Sequence, residues 1–541
     1  MTKLTAISFA AATGLLLAGC GGGQKAPADQ YKLITDDEAS VTETTSGKVA
    51  GYIDRGIYVY KGIPYAKAGR FEEPQDPDPW EGIRSSRAYG PTAPQAFRTG
   101  WYSDQAAFSS NWDDGFAGED CQRVNIWTPS RSGKRAVMVW LHGGGYAAGS
   151  GQEQPCYDGL NLAKNHDVVV VTLNHRLNVL GYLDLSSFGE KYKHSANLGM
   201  MDIVKALQWV HDNIASFGGD PSNVMIFGQS GGGGKVSTLL ATPSAKGLFN
   251  KAVVESGGAN LTMKTPEQSR PYGEATVREL GLTAATIDKI KEVPYAELLS
   301  AANAGAAKVL AASGQPAGRF GAGFPAGPVM DGDFIPYQPG SPEGMAISKD
   351  IPVMNGTTRT EFAYGVPEDV KTPEGLDKYL NSVYGASKDA VIEAFKKDYP
   401  DEPLENLCYA DFLFRPGAVQ QAEARVKAGC APVYNYIFRW ESPVMGGILR
   451  SSHCMEIPFV FDNVALQNEE TGGADVDIEL GHRISSLWAN FAKTGVPSAK
   501  GMPEWKPFTL ENKECMMLDT KSEVRNNPDG DLLKVASTSL F

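Results

Sequence analysis

The 541-residue chain is poor in the patterns that mark metal, nucleotide and nucleic-acid sites. Its seven histidines and seven cysteines show neither C-x-x-C nor H-E-x-x-H spacing, which removes the usual structural-zinc and metalloprotease readings. There is no excess of positive charge. The net charge of −13 and the lack of a basic cluster exclude a phosphate-binding surface of the nucleic-acid kind. The glycine run Gly231 to Gly234 lacks both the Gly-Lys-Ser/Thr ending of a P-loop and the G-x-G-x-x-G order of a dinucleotide site. No cofactor is therefore expected. Internal repeats are absent, and no long polar linker follows residue 40. One large domain over 41–541 is expected where length alone would allow two or three. With 42% hydrophobic and 21% charged residues the composition is that of an ordinary globular protein.

Two glycine-rich stretches carry the chemistry. Phe227-Gly228-Gln229-Ser230-Gly231-Gly232 reads G-x-S-x-G after an apolar run beginning at Val224. A strand turning sharply into a helix holds its serine at a strained, exposed position, so the flanking residues must be small; Gly228 and Gly232 meet that need. Some ninety residues earlier, Trp140-Leu141-His142-Gly143-Gly144-Gly145-Tyr146 supplies backbone amides that can approach a substrate carbonyl closely. Amides of Gly144, Gly145 and Gly231 are the expected oxyanion donors. Either motif alone is equally consistent with a plain turn; together, with an acid and a base downstream, they point to acyl transfer from Ser230.

In the chain order serine, acid, histidine only His453 and His482 follow far enough after Ser230. His482 lies where apolar residues recur at helical spacing and reads as a helix-surface residue. His453 follows the strand-like Val433 to Phe438 and a loop with Pro443, Gly446 and Gly447, so it is borne on a loop near a sheet edge. For the acid, Ile351 to Asn355 reads as a short buried strand closed by Gly356, with Glu361 in the loop beyond. Asp331, Asp333, Asp350 and Glu368 compete on spacing alone.

The chain resembles the type B carboxylesterases, the family that includes the cholinesterases, from about Gly47 to about Trp505. The landmarks are Tyr60-Lys61-Gly62-Ile63-Pro64, Glu119-Asp120-Cys121, Asn125-Ile126-Trp127, the Gly143 to Gly145 run, Asn174-His175-Arg176-Leu177, Phe217-Gly218-Gly219-Asp220-Pro221 and the Ser230 elbow. The resemblance implies an α/β-hydrolase fold: a large, mostly parallel sheet flanked by helices, with helical excursions around an active-site gorge. It implies hydrolysis of small-molecule carboxylic esters by a Ser230, Glu361 and His453 triad. It also implies a buried Arg70–Glu119 ion pair tying the N-terminal region to the core, where a surface pair is the plainer alternative, and Ser256 near the acid. Rival readings are a non-catalytic cholinesterase-like binding module, against which the presence of all three triad residues argues, and the same triad acting on thioesters or activated amides. Oligomeric state is left open.

Two departures from the family stand out. Ala93 precedes Pro94-Gln95 where a cysteine often pairs with the Glu-Asp-Cys motif, so Cys121 is expected to be a buried free thiol. Gln229 replaces the glutamate that precedes the cholinesterase nucleophile, which removes the reason to expect a cationic substrate. Trp112 lies near the family's cation-binding tryptophan without matching its register. Of the other cysteines, Cys408 and Cys430, flanking one helical stretch, are the expected disulfide, and Cys454 is expected to be free. The stretch Ala301 to Gly327 reads as a helical excursion and loop beside the active-site mouth.

The first residues hold Lys3, an apolar segment to Leu17, and Ala18-Gly19-Cys20. This is a signal-peptide layout, too short for a membrane span. Leu17-Ala18-Gly19-Cys20 resembles the bacterial lipobox, implying cleavage after residue 19 and lipidation of Cys20. Residues 20–40 would then form a flexible tether. Gly21 in place of an aspartate favours the outer membrane; without the anchor the protein would be periplasmic or secreted.

Overall fold

The computed structural model describes residues 32–96, 104–257, 261–314 and 323–539. The expected signal peptide and lipidation site, Cys20, lie outside the described residues. Among those described, twelve strands form one sheet in the order Leu33–Ile34, Tyr52–Asp54, Ile57–Pro64, Arg123–Thr128, Val169–Leu173, Arg135–Leu141, Gly219–Gln229, Lys251–Glu255, Val353–Thr358, Val433–Phe438, Glu514–Leu518, Glu523–Asn526. From Val169–Leu173 to Glu514–Leu518 all neighbours are parallel; the pairs outside that block are antiparallel. A second, three-stranded sheet joins Val41–Thr44, Gly47–Ala50 and Ile83–Ser85.

The parallel strands are apolar on both faces because helices cover both. Along them side chains alternate. Met138, Trp140, Met225, Phe227, Val253 and Met354 pack on one face with Ile484, Leu487 and Trp488 of the helix Asp475–Thr494. Val137, Val139, Leu141, Val224, Ile226 and Val254 pack on the other, with Ile203 and Leu207 of the helix Leu198–Asn213. The doubly covered sheet holds its strand ends rigidly, and the candidate site residues sit beyond the carboxyl ends, as open parallel sheets favour.

Several expectations are adjusted by the fold. Residues 33–40 belong to the fold and not to the expected tether: Leu33 and Ile34 pair with Asp54 and Ile53, and Asp37–Ser40 forms a short helix. Ser40 is buried: its Oγ donates to Gly51 O, and Tyr60 Oη donates to Ser40 O. The strand before Glu361 does not close at Gly356 but runs on to Thr358. Gly356 is there because the Tyr436 ring lies over it; a Cβ would meet that ring at 2.4 Å.

The expected Cys408–Cys430 disulfide does not form, and the six cysteines among the described residues are free. Cys408 lies in the turn Leu404–Tyr409, whose Asn406 donates to Glu402, the partner of Arg359 at the end of strand Val353–Thr358. Cys430 lies at the other end of that strand, where the next residue bonds Lys349. The helix Arg415–Lys427 between them spans about 20 Å, far beyond the Cα separation a disulfide bridges. Cys121 is buried against Ala93 and Leu177, so an apolar contact replaces the family's disulfide. Burial pushes its thiol pKa upward.

Candidate active site

Strand Gly219–Gln229 ends at Ser230, and the helix Gly231–Leu239 begins at the next residue. Ser230 has φ 57° and ψ −122°, a conformation strained for any residue with a side chain. The surroundings enforce it: Ser230 N donates to Glu255 O at 2.8 Å, and Gly234 N to Ser230 O at 2.9 Å. Both flanking glycines face the end of strand Arg135–Leu141. A Cβ on Gly228 would lie 2.5 Å from Leu141 O, and one on Gly232 only 1.9 Å from it. No side chain fits, so the helix start can press directly on the neighbouring strand.

That neighbour leads into His142 and the three glycines. Gly143 lies against the elbow, its Cβ position 3.5 Å from Ser230 Cβ. Gly144 and Gly145 have φ of 86° and 59°, which favours glycine. A Cβ on Gly231 would come 2.6 Å from Gly145 N, so the two backbones converge on one small volume beside the serine. Among the described residues, no hydrogen bond takes up the N–H of Gly144 or Gly145, and Gly231 opens its helix, where N–H groups lack intrahelical acceptors. Gln95, which no local motif marks as part of the site, clamps the loop: its Nε2 donates to Gly149 O at 3.0 Å and its Oε1 accepts from Gly149 N at 2.7 Å.

Glu361 and His453 come together three residues beyond one strand and fifteen beyond the next. His453 Nδ1 lies 2.5 Å from Glu361 Oε2. Glu361 is buried and its Oε1 accepts from Thr358 N at 3.0 Å, while His453 N donates to Glu361 O at 2.8 Å. Backbone and side chain thus bind acid to base. The imidazole reaches the elbow: Gln229 Nε2 lies 3.2 Å from its Nδ1 and 3.4 Å from its Nε2. Phe414 stacks on the ring at 5.1 Å and 8°, and Phe362 at 5.3 Å and 24°. These two aromatics were not legible as site residues, because only the fold brings them to the histidine. Among the described residues, no hydrogen bond joins His453 to Ser230 Oγ.

The competitors lie elsewhere. Asp331 accepts from Asn197 Nδ2 at 2.9 Å, Asp333 pairs with Lys193 and His194 on the surface, and His482 pairs with Asp462 Oδ1 at 2.5 Å on a helix. Ser256 is buried at the end of the strand Lys251–Glu255, but its Oγ has no hydrogen-bond partner, so no bond to Glu361 accompanies its place in the sequence. The Arg70–Glu119 pair forms but is not buried: Arg70 Nε donates to Glu119 Oε2 at 2.7 Å, a second guanidinium nitrogen bonds Val293 O, and the Glu119 side chain is 41% exposed. Cys454 Sγ donates to Gln229 Oε1 at 3.1 Å.

A model of the carboxylesterase family matches residues 38–534. The chain belongs to that family. It is 37% identical over 507 residues to the para-nitrobenzyl esterase of Bacillus subtilis, covering 91% of this chain and 97% of that one. It is 31% identical over 502 residues to the phenmedipham hydrolase of Pseudarthrobacter oxydans, covering 90% and 96%. Among solved structures it is similar to an esterase from Clostridium hathewayi described as hydrolysing aliphatic aromatic polyesters, with TM-score 0.81, 37% identity and 92% and 98% coverage. The chain is a carboxylic ester hydrolase of the serine type with the α/β-hydrolase fold. For this carboxylesterase the sheet order and the family match agree on the scaffold. Among its described residues, no group of three or more His, Cys, Asp or Glu is placed to hold a metal ion.

Proposed function

We propose that this carboxylesterase cleaves small carboxylic esters through an acyl-enzyme on Ser230, with His453 as general base and Glu361 as its orienting acid. The observation that carries the reading is the Glu361–His453 pair seated against the strained Ser230 turn. With Nδ1–H donating to Glu361, Nε2 keeps its lone pair and takes the proton as Ser230 Oγ attacks the ester carbonyl. The carbonyl oxygen becomes an oxyanion, stabilised by amides of Gly144, Gly145 and Gly231. Collapse breaks the ester C–O bond, and His453 returns the proton to the departing alcohol. Water then attacks the acyl-serine, its proton passing to His453 and back to Ser230 as the acid leaves. Gln229 gives the pocket a neutral side chain beside the base, which supports uncharged esters over cationic ones.

A fluorophosphonate label should attach to Ser230 alone, and Ser230→Ala should lose several orders of magnitude in kcat for p-nitrophenyl esters while remaining folded. Label on a different serine would overturn the assignment. For the setting, we propose lipidation of Cys20 and attachment to a bacterial outer membrane, a reading supported by Leu17-Ala18-Gly19-Cys20. Among the described residues, no helix is long and apolar enough to cross a membrane. Full-length protein made in a bacterium should incorporate labelled fatty acid, and Cys20→Ser should not; a mature N-terminus at another residue would remove the anchor.

A further inference from the structure

We infer that Lys235 is a positioning residue for the oxyanion hole, anchoring the loop of Gly143 to Gly145 through the carbonyl of His142. The inference rests on the ester-hydrolysis mechanism above and adds a group that this mechanism does not use. Lys235 is fully buried, and its Nζ donates to His142 O at 2.8 Å. No other hydrogen bond among the described residues reaches that carbonyl. Lys235 lies four residues after Gly231 in the helix Gly231–Leu239, hence on the same face one turn on. One helical turn therefore carries an oxyanion amide and the tie that holds the opposing strip of amides in register.

The groups facing the ammonium make this an unusual place for a lysine. The Tyr146 ring centroid is 5.8 Å away. His142 and His175 stack at 4.9 Å, and burial holds both neutral. Arg176, beyond them, is turned to Asp202. The nearby acid is Glu153, itself buried, bonded to Ser150 N and pushed up to about 8 by desolvation. Lys235 is pushed down to about 7 for the same reason. Packing alone would be served better by an apolar side chain. A methionine would fill the space but leave the His142 carbonyl without a donor, free to turn the peptide from which the glycine strip starts.

The loss should fall on the step that forms the oxyanion. In Lys235→Met, kcat per phosphonate-titrated site should drop about 10- to 100-fold with KM within about threefold. Affinity for a trifluoromethyl ketone, which forms a tetrahedral oxyanion adduct, should fall by a similar factor. Titration with the phosphonate counts competent Ser230, so misfolded protein does not enter; absence of any labelling in the parent would instead refute the serine mechanism. The double variant Lys235→Met with Glu153→Gln separates a lost anchor from a change in the proton held by Glu153 and should remain as slow as the single one. If Lys235→Met does not fold, Lys235→Gln, whose amide retains a donor on a shorter stem, should show the same split to a smaller degree. Unchanged kcat and ketone affinity, or their full recovery in the double variant, would overturn the inference.

Discussion

The strain at Ser230 and the Glu361–His453 bond are individual-residue features that depend on neighbours fixing them from several directions. Glu361 is held by Thr358 N and by the His453 backbone as well as by the imidazole. Its carboxylate therefore cannot swing away without breaking the loop's own bonds. Glu361→Gln should keep the protein folded and lower kcat by roughly 10³- to 10⁴-fold, as loss of the orienting carboxylate does. Asp331→Asn and Asp333→Asn, whose partners lie outside the site, should stay within about threefold of the parent. Steady-state kinetics on p-nitrophenyl esters decides; an inactive Asp331 or Asp333 variant beside an active Glu361→Gln would reassign the acid.

At the scale of elements, the decisive contact is the helix Gly231–Leu239 against the end of strand Arg135–Leu141. A Cβ on Gly232 would sit 1.9 Å from Leu141 O, and backbone atoms cannot yield as a flexible side chain can. Gly232→Ala should cost about 3 kcal/mol in urea unfolding; a loss under about 1 kcal/mol would mean the elbow can slide. The N-terminal elements yield a second test. Because Leu33–Ile34 extends the sheet and Ser40 is bonded to Gly51 and Tyr60, protein truncated to begin at residue 32 should have a higher Tm than protein beginning at 41. Equal thermal stability would return residues 33–40 to the tether.

For the whole molecule, buried acids shape stability. Desolvation raises Glu153, Glu255 and Glu470 to about 8 each. These groups release their protons in the unfolded chain near pH 4.5 but keep them when folded until about pH 8. Between those values the folded state binds more protons, so this contribution to stability is present at low pH and is lost as pH rises. His142, His166 and His175, whose burial lowers their pKa, act oppositely as pH rises toward the 6.5 of a free imidazole, and Lys235, depressed to about 7, does so above pH 7. Replacing one acid isolates its share: between pH 5 and 7 the Tm of Glu470→Gln should rise relative to that of the parent. A difference between the two proteins that stays constant over that range would show Glu470 to be ionised in the fold.

What the sequence determined by itself was local or repeated in kind. The G-x-S-x-G turn, the glycine strip and the buried runs Val169–Leu173 and Val433–Phe438 each state a requirement of nearby backbone, a tight turn or burial on both faces, which residue types alone express. The chain order of serine, acid and histidine limited the candidate base to His453 or His482, and the strand before Glu361 together with the family resemblance selected that acid among open competitors. What only the tertiary structure decided involves residues whose meaning lies in what lands beside them. Phe414 is an ordinary aromatic until the loop after strand Val433–Phe438 brings His453 under it, and Gln95 is a polar loop residue until Gly149 turns toward it. Cys408 and Cys430 look like a pair along the chain, yet the rigid helix between them sets them at opposite ends of the sheet. Lys235 reads as one charge in a helix, and only the packing of that helix on the strand end withdraws it from water and gives its ammonium the His142 carbonyl to hold.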